Sequence, residues 1–196
     1  MLHAVPQRQQ CPDVAVEVEI RLQDYRDVDD GPYDAISSIG MFEHVGEARL
    51  SEYFGRLRSL LRPEARLLNH GISHPPGHRP RLPNRSFANR YVFPDGELHE
   101  VGRVVSLMQQ AGFEVRHLET LREHYGLTLR RWVANLEEAW DDAVAEAGEA
   151  RARVWRLYMA GAALNFEAGR TQIHHILATP DADDGRAGLP LRPRFE

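Results

Sequence analysis

Between residues 33 and 74 the apolar residues change rhythm twice, and this constrains the fold more than any other feature of the chain. "YDAISSI" (33–39) moves in and out of apolar character like a buried strand and runs into a small turn at Gly40. From Gly46 the spacing becomes helical, with Leu50, Tyr53, Phe54, Leu57, Leu60 and Leu61 on one face and Pro63 expected to stop the run. "RLLNHGISH" (66–74) then reads as another strand, and "VAVEVEIRL" (14–22), strictly alternating and β-branched, as one that precedes them all. The order strand, strand, helix, strand predicts an α/β domain with a largely parallel sheet. Ligands in such sheets bind outside the carboxyl ends of the strands, where Asp24 and Tyr25, Ile39 to His44, and Asn69 and His70 fall.

The remainder extends the pattern. Residues 74–94, rich in proline and arginine and free of acids, fit no regular element. A helix is expected over 96–112, closed by Gly112, then a strand at 113–121. Two helices follow at about 127–147 and 149–168, the first with Leu129, Trp132, Val133, Leu136 and Trp140 on one side. "TQIHHILAT" (171–179) is the closing strand, and 180–196 reads as a disordered tail, leaving 1–13 as an irregular N-terminal segment.

With 196 residues, 42% of them hydrophobic, the chain can bury a core. Its net charge is −5 and all its side-chain cations other than histidine are arginines, so nonspecific nucleic-acid binding is a poor fit. The single cysteine, Cys11, excludes an internal disulfide framework and suits a reducing compartment. No apolar run reaches the ~20 residues of a bilayer span, and no metal-ligand spacing is present. In "HHI" the two imidazoles of the last strand point to opposite faces, against joint ligation.

Glu43 and His44 stand just beyond the end of a strand that belongs in the core. An acid in a first helical turn complements the helix dipole, and one histidine among ten carries little information. Convergence carries more. Asp24, Glu43 and His70 are expected at the ends of three successive strands, lining one crevice.

The segments "LQDYRDV", "YDAISSIGMFEHVG", "YFGRLRSLLRPEARLLNHGI", "RYVFPDGEL" and "REHYGLTLRRW", in that order, resemble the cyclopropane-fatty-acyl-phospholipid synthase family and the related mycolic acid cyclopropane synthases. The likeness runs over about 14–179 and corresponds to the C-terminal two thirds of those enzymes. It implies a Rossmann-like α/β methyltransferase fold dependent on S-adenosylmethionine. The implied reaction adds a methyl or methylene group to a cis double bond of a phospholipid acyl chain: π electrons attack the sulfonium methyl, and loss of a proton from the added carbon closes the ring. The resemblance also implies a bicarbonate ion as the base, bound by Glu43, His70, Ile72 and Tyr125, with Glu43, His70 and Tyr125 catalytic. Asp24, Tyr25 and Ile39 match positions beside the adenine, and His44 is placed near the cofactor.

Family members hold the methionine part of the cofactor on a glycine-rich loop, and "MLHAVPQRQQCPDV" offers neither that loop nor the acid for the ribose. The expectation is a partial cofactor domain, with a complementing N-terminal fragment as partner or, alternatively, a catalytically silent chain. Arg79, Arg81, Arg85 and Arg90 are expected to meet anionic phospholipid, which would put the protein on the inner face of the cell membrane, in the cytoplasm.

Overall fold

The computed structural model describes residues 19–77 and 86–192. Cys11, residues 14–18, Arg79, Arg81 and Arg85 lie outside the described residues, and with them most of the expected first strand and of the arginine segment. The chain divides into two units, Met1–Gly31 and Pro32–Glu196.

In the first unit the expected strand does not extend through residues 19–22, which take no strand conformation. Alternation marks a sequence that suits a half-buried pleated surface and does not by itself create one. Here Ile20 and Leu22 are exposed, and Arg21 reaches Glu19 at 2.7 Å and Asp30 at 2.6 Å. A 3-10 turn, Tyr25–Asp27, follows, with Asp24 as its cap, accepting the Arg26 N–H at 2.9 Å.

The second unit holds a mixed sheet. β1 (Tyr33–Ile39) pairs in parallel with β2 (Leu61–His74); β2 pairs antiparallel with β5 (Gln172–Pro180), which pairs antiparallel with β4 (Phe113–Thr120). The short β3 (His99–Glu100) joins β2 in parallel. Four of the five strands run the same way, as expected of a largely parallel sheet, and β5 alone is reversed, because the chain returns from α6 (Glu149–Glu167) into β5 between β2 and β4 and against both.

α1 (Leu50–Ser59) buries Leu50, Tyr53, Phe54 and Leu57, as its spacing predicts. Pro63 does not end it. The helix stops at Ser59, and Pro63 lies inside β2 where pairing jumps from Tyr33↔Leu61 to Ala35↔Arg66. A proline has no N–H for the ladder, and beside it Glu64 takes a left-handed φ of 59°, so the irregularity falls where the backbone can bear it.

Three further boundaries differ from expectation. α2 (Phe87–Tyr91) forms within the proline-arginine stretch, seeded by Ser86, whose hydroxyl accepts the Asn89 N–H at 3.1 Å. The helix expected at 96–112 begins only at Val101, as α3 (Val101–Gln110), because residues 99–100 pair with β2; Gly112 closes it at φ 85°. The helix expected over 127–147 starts earlier and breaks at Ala139 into α4 (Arg122–Glu138) and α5 (Trp140–Ala147), and of its proposed apolar side Trp132 is exposed.

The sheet has helices on both faces. Alternate residues of β2 divide between them: Asn69, Gly71 and Ser73 meet Phe42 and the Val101–Val104 turn of α3, while Ile72 joins a cluster of Leu129, Met159, Ala163, Phe166 and Ile173 from α4, α6 and β5. Among the described residues no helix is long and apolar enough to cross a membrane.

Candidate active site

β1 ends at Ile39, where the Gly40 N–H still donates to the His70 carbonyl at 2.8 Å. β3 takes up the same edge of β2 only at Ser73. In the interval stands the Ile72 N–H, and the Glu43 carboxylate accepts it through Oε1 at 2.7 Å. Glu43 thus takes the place of a missing strand residue at the end of a parallel ladder. That is why an acid occurs just past β1, a strand expected to be buried that instead lies, among the described residues, at the outer edge of the sheet with Ser38 as its one buried residue.

Glu43 sits in a three-residue 3-10 turn, Phe42–His44, and is 5% exposed. Its neighbour Phe42 fills the space above Gly71: a Cβ on Gly71 would come within 1.8 Å of the Phe42 ring. That close approach requires the glycine of "NHGI" and sets the turn against β2. Burial pushes the Glu43 carboxyl above the usual range, opposed by the Ile72 N–H, its own N–H and His44. Its second oxygen, Oε2, is buried and has no hydrogen-bond partner among the described residues.

His70, one residue before Gly71, is 8% exposed, and its Nε2 meets the Tyr125 hydroxyl of α4 at 3.1 Å. Burial, reinforced by His175, lowers the His70 pKa, so the ring is held neutral near pH 7. Nδ1 of the ring is buried without a partner among the described residues. Burial, with the Glu43 charge, pushes the Tyr125 phenol up. Glu43, His70, Ile72 and Tyr125 are therefore brought together, as expected, in a group whose members burial drives toward their neutral forms.

Ile39 is 58% exposed at the end of β1, and His44 is exposed with its ring 5.6 Å from that of Phe93. Asp24 and Tyr25 belong to the first unit, where Arg26 binds the Asp24 carboxylate at 2.7 Å and lies 6.0 Å over the Tyr25 ring. Arg90 is exposed, its guanidinium 5.4 Å over Tyr91.

Two participants are not predicted from sequence. His175 stands opposite His70 in the β2–β5 register, with ring centroids 4.7 Å apart. Tyr158 of α6 is raised in pKa by burial and by Tyr125, and its ring lies 5.6 Å from that of Phe93. The signal for His175 was in "HHI": one imidazole had to face the site side of the sheet, and the register decides which.

Chemically the group offers buried polar atoms with free valences, next to the apolar α4–α6 cluster that Ile72 and Tyr125 pack against. Residues 3–176 match the family model described as mycolic acid cyclopropane synthetase. A probable fatty acid methyltransferase of Mycobacterium tuberculosis is 49% identical over 184 residues, covering 91% of this chain and 42% of that protein. A probable fatty acid methyltransferase of Pseudomonas putida is 40% identical over 94% of this chain and 48% of its own length. The cyclopropane-fatty-acyl-phospholipid synthase of Escherichia coli is 30% identical over 87% of this chain and 43% of its own. The chain thus spans under half the length of these curated relatives. Among solved structures, the cyclopropane synthase MmaA2 from Mycobacterium tuberculosis superposes with a TM-score of 0.78 at 26% identity, over 85% of this chain and 62% of that one. The mycolic acid cyclopropane synthase CmaA1, complexed with SAH and CTAB, gives 0.74 at 28% identity, over 81% of this chain and 59% of that one. With its mixed sheet, its two helical layers and a family match over most of its length, the chain belongs to the mycolic acid cyclopropane synthetase family and carries the α/β fold of its S-adenosylmethionine-dependent methyltransferases.

Proposed function

We propose that this chain forms the acyl-modifying part of a methyltransferase that adds a methyl or methylene carbon from S-adenosylmethionine to the cis double bond of a phospholipid acyl chain. The observation that carries the reading is the pair of orphaned polar atoms, Glu43 Oε2 and His70 Nδ1, buried beside the Tyr125 hydroxyl. Buried polar groups are normally satisfied, so two in one cluster mark a place for a small polar ligand. The set fits bicarbonate: the free Glu43 Oε2 can accept the ion's own O–H and so orient it, which the amide nitrogen of a Glu43→Gln variant at that place could not do, and His70 and Tyr125 add two further polar contacts. When bound, bicarbonate supplies the base that accepts the proton lost from the added carbon. The Ile72 N–H holds Glu43 in place, and the apolar side chains of α4 and α6 keep water from the reacting carbons.

On the cofactor side Asp24, Tyr25 and Ile39 remain candidates for the adenine, and His44 for a place near the cofactor. The relatives' greater length supports assigning the methionine-binding loop to a segment not represented in this sequence. A second reading, in which the chain works as one half of a two-part enzyme, is supported by β1, which is an outer strand of the sheet among the described residues and offers an edge for a complementing N-terminal fragment. Peripheral contact with the inner membrane surface through the Arg79–Arg90 region is supported by Arg90 standing among the exposed Phe87, Tyr91 and Phe93.

The test uses the chain completed with the segment its relatives carry. Glu43→Gln and His70→Ala should each lower product formation by ~10²–10³ while S-adenosylmethionine still binds in calorimetry. Either variant working at the parental rate under saturating cofactor would remove the anion site from the mechanism.

A further inference from the structure

We infer that Glu97, in "FPDGEL", is a positioning residue that holds the Glu43 turn closed against β2. The inference deepens the anion-site reading by naming what keeps its acid buried.

The need for such a residue follows from the local geometry. Glu43 lies on a turn of three residues whose cap, Met41, makes no side-chain hydrogen bond, and a second 3-10 turn, Glu47–Arg49, follows across Gly46 at φ 83°. A pair of one-turn elements hinged at a left-handed glycine has little rigidity of its own. Glu97 grips both. Its N–H donates to the Glu43 carbonyl oxygen at 2.8 Å, and its carboxylate accepts the Glu47 N–H through Oε2 at 2.9 Å, capping the second turn. The clamp is anchored in turn, since the Glu47 carboxylate binds Arg103 at 2.9 Å and His99 Nδ1 at 3.1 Å, fastening the turns to the start of α3 and to β3. The main chain and the carboxylate of one residue thus tie the two ends of "EHVGE", and the grip on Glu47 is the one that depends on the side chain. The charge is dispensable in this arrangement; the acceptor oxygen at Oε2 is what the Glu47 N–H requires.

The experiment follows the Glu43 carboxyl by carbon NMR titration in the full chain without substrate, comparing wild type with Glu97→Ala, Glu97→Gln and Glu97→Asp. The titratable neighbours His44 and Tyr125 stay in place in every variant. Glu97→Ala should release the turn to water and bring the Glu43 titration down toward the ordinary value of about 4.3, whereas Glu97→Gln, which keeps an acceptor, should leave it raised. Glu97→Asp, one methylene shorter, should move it down too and serves if Glu97→Ala does not fold. An unchanged Glu43 titration in Glu97→Ala or Glu97→Asp, whatever happens to the melting temperature, overturns the proposal, as does Glu97→Gln behaving like Glu97→Ala. The readout involves no methyl transfer, so failure here is distinct from failure of the anion-site reading.

Discussion

On one face of the sheet the Ser73 hydroxyl meets His174 Nδ1 at 2.9 Å; on the other the Tyr125 hydroxyl meets His70 Nε2 at 3.1 Å. Both are hydroxyl–imidazole pairs reaching from β2, and burial lowers both imidazoles in pKa. Their surroundings differ. Ser73 and His174 line a small cavity under α3 together with Asn69, a neutral amide whose two polar atoms are buried without partners among the described residues, whereas the ring of His70 keeps a buried nitrogen unpaired and lies near a buried acid with a free oxygen. The same hydroxyl–imidazole pair thus stands beside a neutral amide on one face and near a titratable acid on the other.

The largest effect should come from the backbone position between the two faces. Gly71→Ala puts a methyl group into the Phe42 ring and should destabilise the protein by ~1–3 kcal/mol, the usual cost of overpacking. Thermal melts would read this as a drop of several degrees, and a second change, Phe42→Leu, should restore part of it. Gly71→Ala melting like wild type would mean that the close approach does not hold the Glu43 turn.

Removing the hydroxyl from each pair tests the contrast directly. Ser73→Ala strands a nitrogen of buried His174 and should cost ~1–3 kcal/mol, while Tyr125→Phe, at a half-buried residue, should cost about 1 kcal/mol or less. In the completed enzyme the order should reverse, with Tyr125→Phe losing the more activity. Equal melting temperatures and equal rates for the two variants would erase the distinction between the faces.

A smaller effect concerns acid. His70, His99 and His174 all have folded pKa values below the usual 6.5, so their contribution to stability is present above that pH and is lost as pH falls through the lowered values. Glu43, with a raised pKa, acts in the opposite sense, its contribution being lost as pH rises through the raised value. The three imidazoles outnumber it, so melting temperature should decline from pH 7 to pH 5, and less in His174→Gln. A melting temperature that rises over that interval would contradict the burial of these rings. The smallest change is expected at the surface: Glu167→Gln, which weakens the exposed Arg130 pair at 2.7 Å, should leave melting and titrations of both faces unaltered.

The parts of this arrangement that could be read from sequence are those set by local spacing. The α1 face, β5 and the strand character of 66–74 follow from side-chain periodicity and came through, although β2 begins already at Leu61, a residue that the helical spacing had claimed. Glu43, His70 and Tyr125 were legible through the likeness of "MFEHVG", "NHGI" and "EHYGLTL" to a known family. What could not be read depends on pairing between distant segments. Whether β5 enters antiparallel, whether 99–100 leaves a helical pattern to join β2, and which imidazole of "HHI" faces His70 are decided by register. The alternation of 19–22 misled because a pattern suited to a sheet does not supply a partner strand.

Glu43 serves as a rung in the space between the end of β1 and the start of β3 along one edge of β2. The number of residues from Ile39 to Glu43 is therefore a dimension of the site, as much as any side chain is. One residue inserted there would let backbone reach the Ile72 N–H and turn the acid outward; one removed would leave the carboxylate short of it. Loops ordinarily absorb changes in length, but this one is measured against the spacing of the sheet, and lineages that keep the acid should keep its distance from the strand.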